Sequence, residues 1–147
     1  MSITQKERRF PSATGLCDIV YRQWIPEEIR GTVVLVHGMS EDIARYDAFA
    51  KFLAENGFLV SGLDLPSHGK SWKEGVPRGY FGTEDGWGKT LLDIRTLCAT
   101  VRRENPYLFA GAPLSSPGTG TAIAPPPGIR DLEKMSLAEY RQYRKGN

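Results

Sequence analysis

The sequence predicts an α/β fold in which a β-hairpin precedes a β-α-β-α succession and the parallel sheet is left incomplete. Three observations lead there. Residues 32–36 are a short apolar run, rich in β-branched side chains, that ends in His37-Gly38. A run of this kind is too short for a stable helix and too uniformly apolar for a half-exposed strand. It reads as a strand covered on both faces, as in the middle of a parallel sheet. Next, Tyr46, Phe49, Ala50 and Leu53 fall on one face of a 3.6-residue period, which predicts a helix over residues 45–56. Finally, residues 58–63 repeat the buried-strand pattern. Strand, helix and strand in that order form a crossover unit of right-handed sense.

Before this unit, residues 7–10 read as a short strand, Pro11-Ser-Ala-Thr-Gly15 as turn residues, and residues 16–24 as the return strand. The alternation of Val20, Arg22 and Trp24 with Ile19, Tyr21 and Gln23 leaves neither face clearly drier. At the carboxyl end of residues 32–36, where open α/β sheets hold their ligands, the chain turns through Gly38 and Met39. Asn56-Gly57 stops the first helix, because glycine accepts the left-handed conformation of a helix end. Asp64 lies at the carboxyl end of the second strand, and residues 65–83 form a loop punctuated by glycine and proline. A second helix is expected over residues 84–103, with Trp87, Leu91, Ile94, Cys98 and Val101 on its buried face. Glu84 and Asp85 at its start and Arg102-Arg103 at its end suit the helix dipole, and Asn105-Pro106 ends it.

A third parallel strand should follow. Tyr107-Leu-Phe-Ala110 begins like one, but residues 111–128 hold five prolines and four glycines, which a central strand does not tolerate. The expected organisation is a folded part over residues 1–109, an irregular linker over residues 110–130 and a short polar helix within residues 131–147. That helix opens at the capping-box pattern Ser136-Leu-Ala-Glu139. With no further strand, residues 32–36 become an apolar sheet edge of the kind that recruits another chain, so self-association is expected there.

The composition excludes several function classes. A net charge of +2, with no basic cluster beyond a few residues, points away from nucleic acid. Cys17 and Cys98 lie far apart and form neither a zinc pattern nor a redox pair, so no metal or organic cofactor is expected. No signal peptide opens the sequence, and no apolar run nears the roughly 20 residues that span a bilayer. The expectation is a soluble, cytoplasmic protein.

Three segments carry a resemblance. They are Leu35-Val-His-Gly-Met-Ser-Glu-Asp42 followed by Arg45-Tyr46, then Gly62-Leu-Asp-Leu-Pro-Ser-His-Gly-Lys-Ser71, then Gly79-Tyr-Phe-Gly-Thr-Glu-Asp-Gly-Trp87 leading to Asp93-Ile94. In order and spacing they resemble the α/β-hydrolase superfamily, and within it the monoacylglycerol lipase and lysophospholipase branch of serine aminopeptidase S33-like hydrolases. The resemblance implies the N-terminal part of that fold and an ester hydrolase working on lipid or small esters through Ser, His and Asp. There, a serine in G-x-S-x-G attacks the ester carbonyl, and backbone N–H groups hold the oxyanion. Carried onto this sequence, Met39 stands where an oxyanion-donating N–H belongs, and His37 and Gly38 shape its turn. Asp64, His68 and Gly69 match a structural loop near the site, Glu41 and Asp42 match its polar rim, and Asp42 departs from the family's histidine.

The catalytic residues themselves are missing. No G-x-S-x-G occurs in the 147 residues, and no histidine follows His68. Ser115 and Ser116 stand near the expected place but between Pro113 and Pro117, and Ser40 follows the wrong strand. The nucleophile and the triad acid and base are therefore expected to be absent, leaving a hydrolase chain truncated before its nucleophile elbow and inactive as given. The alternative is a non-catalytic α/β interaction domain that uses its open sheet edge. A small hydrolase pairing Ser40 or Ser115 with His68 is the third and weakest reading.

Overall fold

The computed structural model describes residues 2–109 together with Ser136 and Ala138. Apart from those two residues, the linker and the C-terminal helix expected beyond residue 109 lie outside the described residues. The chain divides into two compact units, Met1–Leu108 and Phe109–Asn147, and the first contains the sheet. Its elements are β1 (Ile3–Pro11), β2 (Asp18–Pro26), β3 (Gly31–Val36), α1 (Asp47–Glu55), β4 (Phe58–Leu63) and α2 (Gly86–Glu104). The strands form one four-stranded sheet in the order β1-β2-β4-β3. The first two pairings are antiparallel, with Arg8 opposite Tyr21 and Trp24 opposite Val60. The β3–β4 pair is parallel, with Val33 opposite Val60. An α/β fold with an incomplete sheet is what forms.

The hairpin is longer than expected, because β1 starts at Ile3 rather than at residue 7. Residues 4–9 of β1 are all exposed, so no apolar alternation betrays the strand, and the ladder to β2 alone holds it in place. Its turn is closed by the Gly15 N–H donating to the Ser12 carbonyl (3.0 Å), with Gly15 at φ 73°.

Three expectations need correction. Strand β3 lies at a sheet edge, as expected in the absence of a further strand, with β4 its single neighbour among the described residues, but it is not covered on both faces. Its Val33, Val34 and Leu35 are only half-buried, and Val36 is 44% exposed. The inward face of α1 carries Ala50 and Ala54, whereas Phe49 is 51% exposed. A 3-10 turn, Ile43–Tyr46, precedes α1, and Tyr46 and Leu53 of the expected face do pack against the cluster of Trp24, Ile43, Ala50, Ala54 and Val60. The buried face of α2 runs through Thr90, Asp93, Leu97 and Val101, and Trp87 is 53% exposed. Asp93 is drawn inward by the hairpin turn, where Ser12 Oγ–H (2.6 Å) and the Ala13 N–H (2.7 Å) donate to its carboxylate.

The sheet therefore separates two apolar clusters. Ile19, Tyr21, Leu59 and Leu63 pack with Leu97 and Val101 of α2, while Trp24 and Val60 pack with Ile43 and with Ala50 and Ala54 of α1. Both clusters anchor β4, whose carboxyl end delivers the loop described next.

Candidate functional site

The carboxyl ends of β3 and β4 emerge side by side, with Val36 opposite Leu63, so the loops that follow them meet. One buried histidine and one buried aspartate tie those loops together. Nε2 of His37 accepts from the Leu65 N–H (2.9 Å), which makes Nε2 the unprotonated nitrogen; Nδ1–H then donates to the Gly38 carbonyl (2.7 Å). Both ring nitrogens are occupied, so His37 is a clamp and has no nitrogen left for proton transfer. Asp64, 2% exposed, accepts from the Ile43 N–H (2.7 Å) and the Lys70 N–H (2.9 Å), one on each carboxylate oxygen. Its backbone carbonyl accepts from Ser71 Oγ–H (2.8 Å). A carboxylate satisfied in this way fixes the loop geometry.

Gly69 is required beside it. At φ 46°, a Cβ there would lie 2.5 Å from Oδ2 of Asp64. His68, also buried, hydrogen-bonds the Pro66 carbonyl through Nδ1 (2.9 Å) and stacks at a tilt between His37 and Phe81 (ring centroids 5.1 and 5.7 Å). Its Nε2 has no hydrogen bond among the described residues and faces Gly79.

The turn after β3 is held from its outer side. The Gly38 N–H donates to Oε2 of Glu41 (3.0 Å), which also accepts from the Tyr46 hydroxyl (2.7 Å), and Arg45 pairs with the same carboxylate (3.5 Å). Tyr46 chiefly, and the Gly38 N–H after it, hold the Glu41 carboxyl below its usual range. Asp42 caps the 3-10 turn by accepting from the Arg45 N–H (3.3 Å). Met39 is 91% exposed, and its N–H meets no acceptor among the described residues. It borders a cavity of about 420 Å³ lined by His37, Gly38, Met39, Leu65, His68, Phe81 and Trp87. The lining is largely apolar but includes Ser40 and Arg78, and Met39, whose N–H is unpaired among the described residues, borders it.

The structure thus brings His37, Gly38, Met39, Asp64, His68 and Gly69 to one place. Ser40 lies on the same cavity, but no hydrogen bond joins it to His68, and Ser115 falls outside the described residues. Sequence reasoning missed Ser67. It stands at φ 62° with its hydroxyl buried and unpartnered, a backbone conformation that nothing in its residue type announces.

A partly parallel sheet with loops converging at the carboxyl ends of β3 and β4 is a partial α/β-hydrolase fold. A highly thermostable carboxyl esterase from Bacillus coagulans, solved with glycerol, superposes with a TM-score of 0.65 at 27% identity over 71% of this chain. An uncharacterized abhydrolase domain-containing protein of Dictyostelium discoideum is 28% identical over 91 residues, 61% of this chain. The chain spans 34% of the esterase and 9% of the Dictyostelium protein. Residues 27–124 match the family described as serine aminopeptidase, S33, and the chain belongs to that family.

Proposed function

We propose that residues 1–109 form the N-terminal part, with the oxyanion turn, of a carboxylic-ester hydrolase of the lysophospholipase or monoacylglycerol lipase type. The 147-residue chain by itself does not turn over esters. The observation that carries this reading is the unpaired Met39 N–H at the edge of a largely apolar cavity. A developing carbonyl oxyanion needs such a preorganised donor, and His37 and Glu41 hold the turn that presents it. In this reading Asp64, His68 and Gly69 support the turn and take no part in proton transfer. Hydrolases stripped of a triad member keep roughly 10³–10⁴ over water only with the oxyanion hole and binding site intact. Here the second donor, which follows the nucleophile in G-x-S-x-G, has no counterpart in the sequence.

The test is fluorophosphonate labelling of the purified chain, beside hydrolysis of a monoacylglycerol and a lysophosphatidylcholine. No labelled serine and buffer-level hydrolysis are expected. Labelling at Ser40 or Ser115 overturns the inactivity. Reading the gene in all frames beyond the codon for Arg102 tests the lineage. A G-x-S-x-G segment with a later histidine supports the hydrolase, and the restored product should then cleave one of the two substrates.

A second reading, an interaction domain working through its sheet edge, is favoured by one observation. Strand β3 carries a half-exposed run of valine and leucine with no neighbour beyond it among the described residues.

A further inference from the structure

A second cavity, of about 360 Å³, opens between the hairpin turn and the loop after Asp64, and it shares no lining residue with the cavity at His37. Arg9, Lys70 and Lys73 line it together with the acid Asp18, and with Lys70 paired to Glu7 the cavity keeps an excess of positive charge. Of these cations only Lys70 is engaged, by Glu7 (2.6 Å), and Glu7 also serves Arg22. Arg9 and Lys73 are exposed and form no ion pair among the described residues. Cys17, half-buried within the cavity, keeps a neutral thiol because burial raises its pKa, so no thiolate offsets the positive field. Trp72 also lines it, its indole N–H donating to the Val76 carbonyl (2.8 Å) and the Arg78 guanidinium lying over its ring, 4.4 Å from the centroid.

We propose that this cavity binds a small phosphomonoester dianion, with Arg9 and Lys73 on the phosphate and an attached flat group against Trp72. Charge decides the class of ligand. Two cations without ion-pair partners on the lining of one concave space give it a positive potential, which a dianion offsets. Trp72 on the lining then favours an aryl ester over the bare anion.

The proposal is tested by titrating the full chain at low salt with phenyl phosphate and with inorganic phosphate, followed by calorimetry. Saturable binding of phenyl phosphate with a Kd at or below about 1 mM is expected, several-fold tighter than inorganic phosphate and weakened by added salt. Arg9→Ala with Lys73→Ala should weaken it at least about tenfold, and circular dichroism checks that this surface variant stays folded. Bound phenyl phosphate should also slow alkylation of Cys17, read by peptide mapping, while leaving Cys98 unchanged. Absence of saturable binding, binding indifferent to the double variant, or an unprotected Cys17 each overturns the assignment.

Discussion

Ser67 shows what a single residue contributes and conceals. It occupies the left-handed region at φ 62°, is 1% exposed and leaves its hydroxyl without a partner. An L-residue in that conformation costs roughly 1–2 kcal/mol, and an unsatisfied buried hydroxyl adds to the cost. Glycine carries neither burden, although it loses more backbone entropy on folding. Ser67→Gly is therefore expected to raise stability by about 1 kcal/mol, read as a higher urea midpoint with an unchanged slope. A lowered midpoint would show that the added backbone entropy of glycine outweighs the relief of the left-handed conformation. The neighbouring Asp64 was legible at the carboxyl end of a strand, because the apolar run of residues 58–63 precedes it. The strain at Ser67 was not, since serine by itself says nothing about φ.

Between elements, the contact that locates α2 is polar. Asp93 reaches from the helix to Ser12 and Ala13 in the hairpin turn, 1% exposed. Burial raises its pKa above 3.8, outweighing the two hydrogen bonds that pull the other way. The folded state therefore binds this proton more tightly than the unfolded state. The stability that Asp93 contributes is fully present below 3.8, is lost as pH rises through the folded-state pKa, and is constant above it. Asp93→Asn keeps an acceptor for the Ala13 N–H and removes the charge. It should flatten that slope in urea midpoints measured across the acid range and leave neutral-pH stability equal or higher. A variant that is weaker at neutral pH with the slope intact would place the titration elsewhere. This latch is also why the helix face was misread. Apolar periodicity selected Trp87, Leu91 and Ile94, whereas the inward positions include Thr90 and Asp93, which a hydrophobic pattern cannot weigh. In α1 the expected face of Tyr46, Phe49, Ala50 and Leu53 holds except at Phe49, and small Ala54, which apolar periodicity did not select, packs inward instead.

For the molecule as a whole, the legible parts were those with dense apolar runs. Strand β4 runs over residues 58–63 as expected, and β3 differs from its expected bounds by the single residue Gly31. The edge position of β3 was legible from the missing next strand, whereas no residue pattern states that the hairpin joins the sheet through β2 against β4. The resulting order decides the most consequential surface. Strand β1, at one edge, carries Lys6, Glu7, Arg8 and Arg9, charges that discourage pairing with another sheet. Strand β3, at the other, offers Thr-Val-Val-Leu-Val with intermediate exposure. On α1, the side bearing Asp47 contacts Trp24 of β2 (3.0 Å), so the exposed Phe49 and Phe52, on other sides of the helix, leave more apolar surface uncovered. In our second reading this edge pairs with another copy of itself. Sedimentation velocity should then show a species larger than the monomer that grows with concentration. Thr32→Lys with Val36→Lys places a charge at each end of the strand without emptying the core, since Val36 is already 44% exposed. That variant should sediment as a monomer with an unchanged far-ultraviolet spectrum. A wild-type chain that stays monomeric as concentration rises removes self-pairing at β3 from the second reading and leaves the hydrolase lineage as the account of this fold.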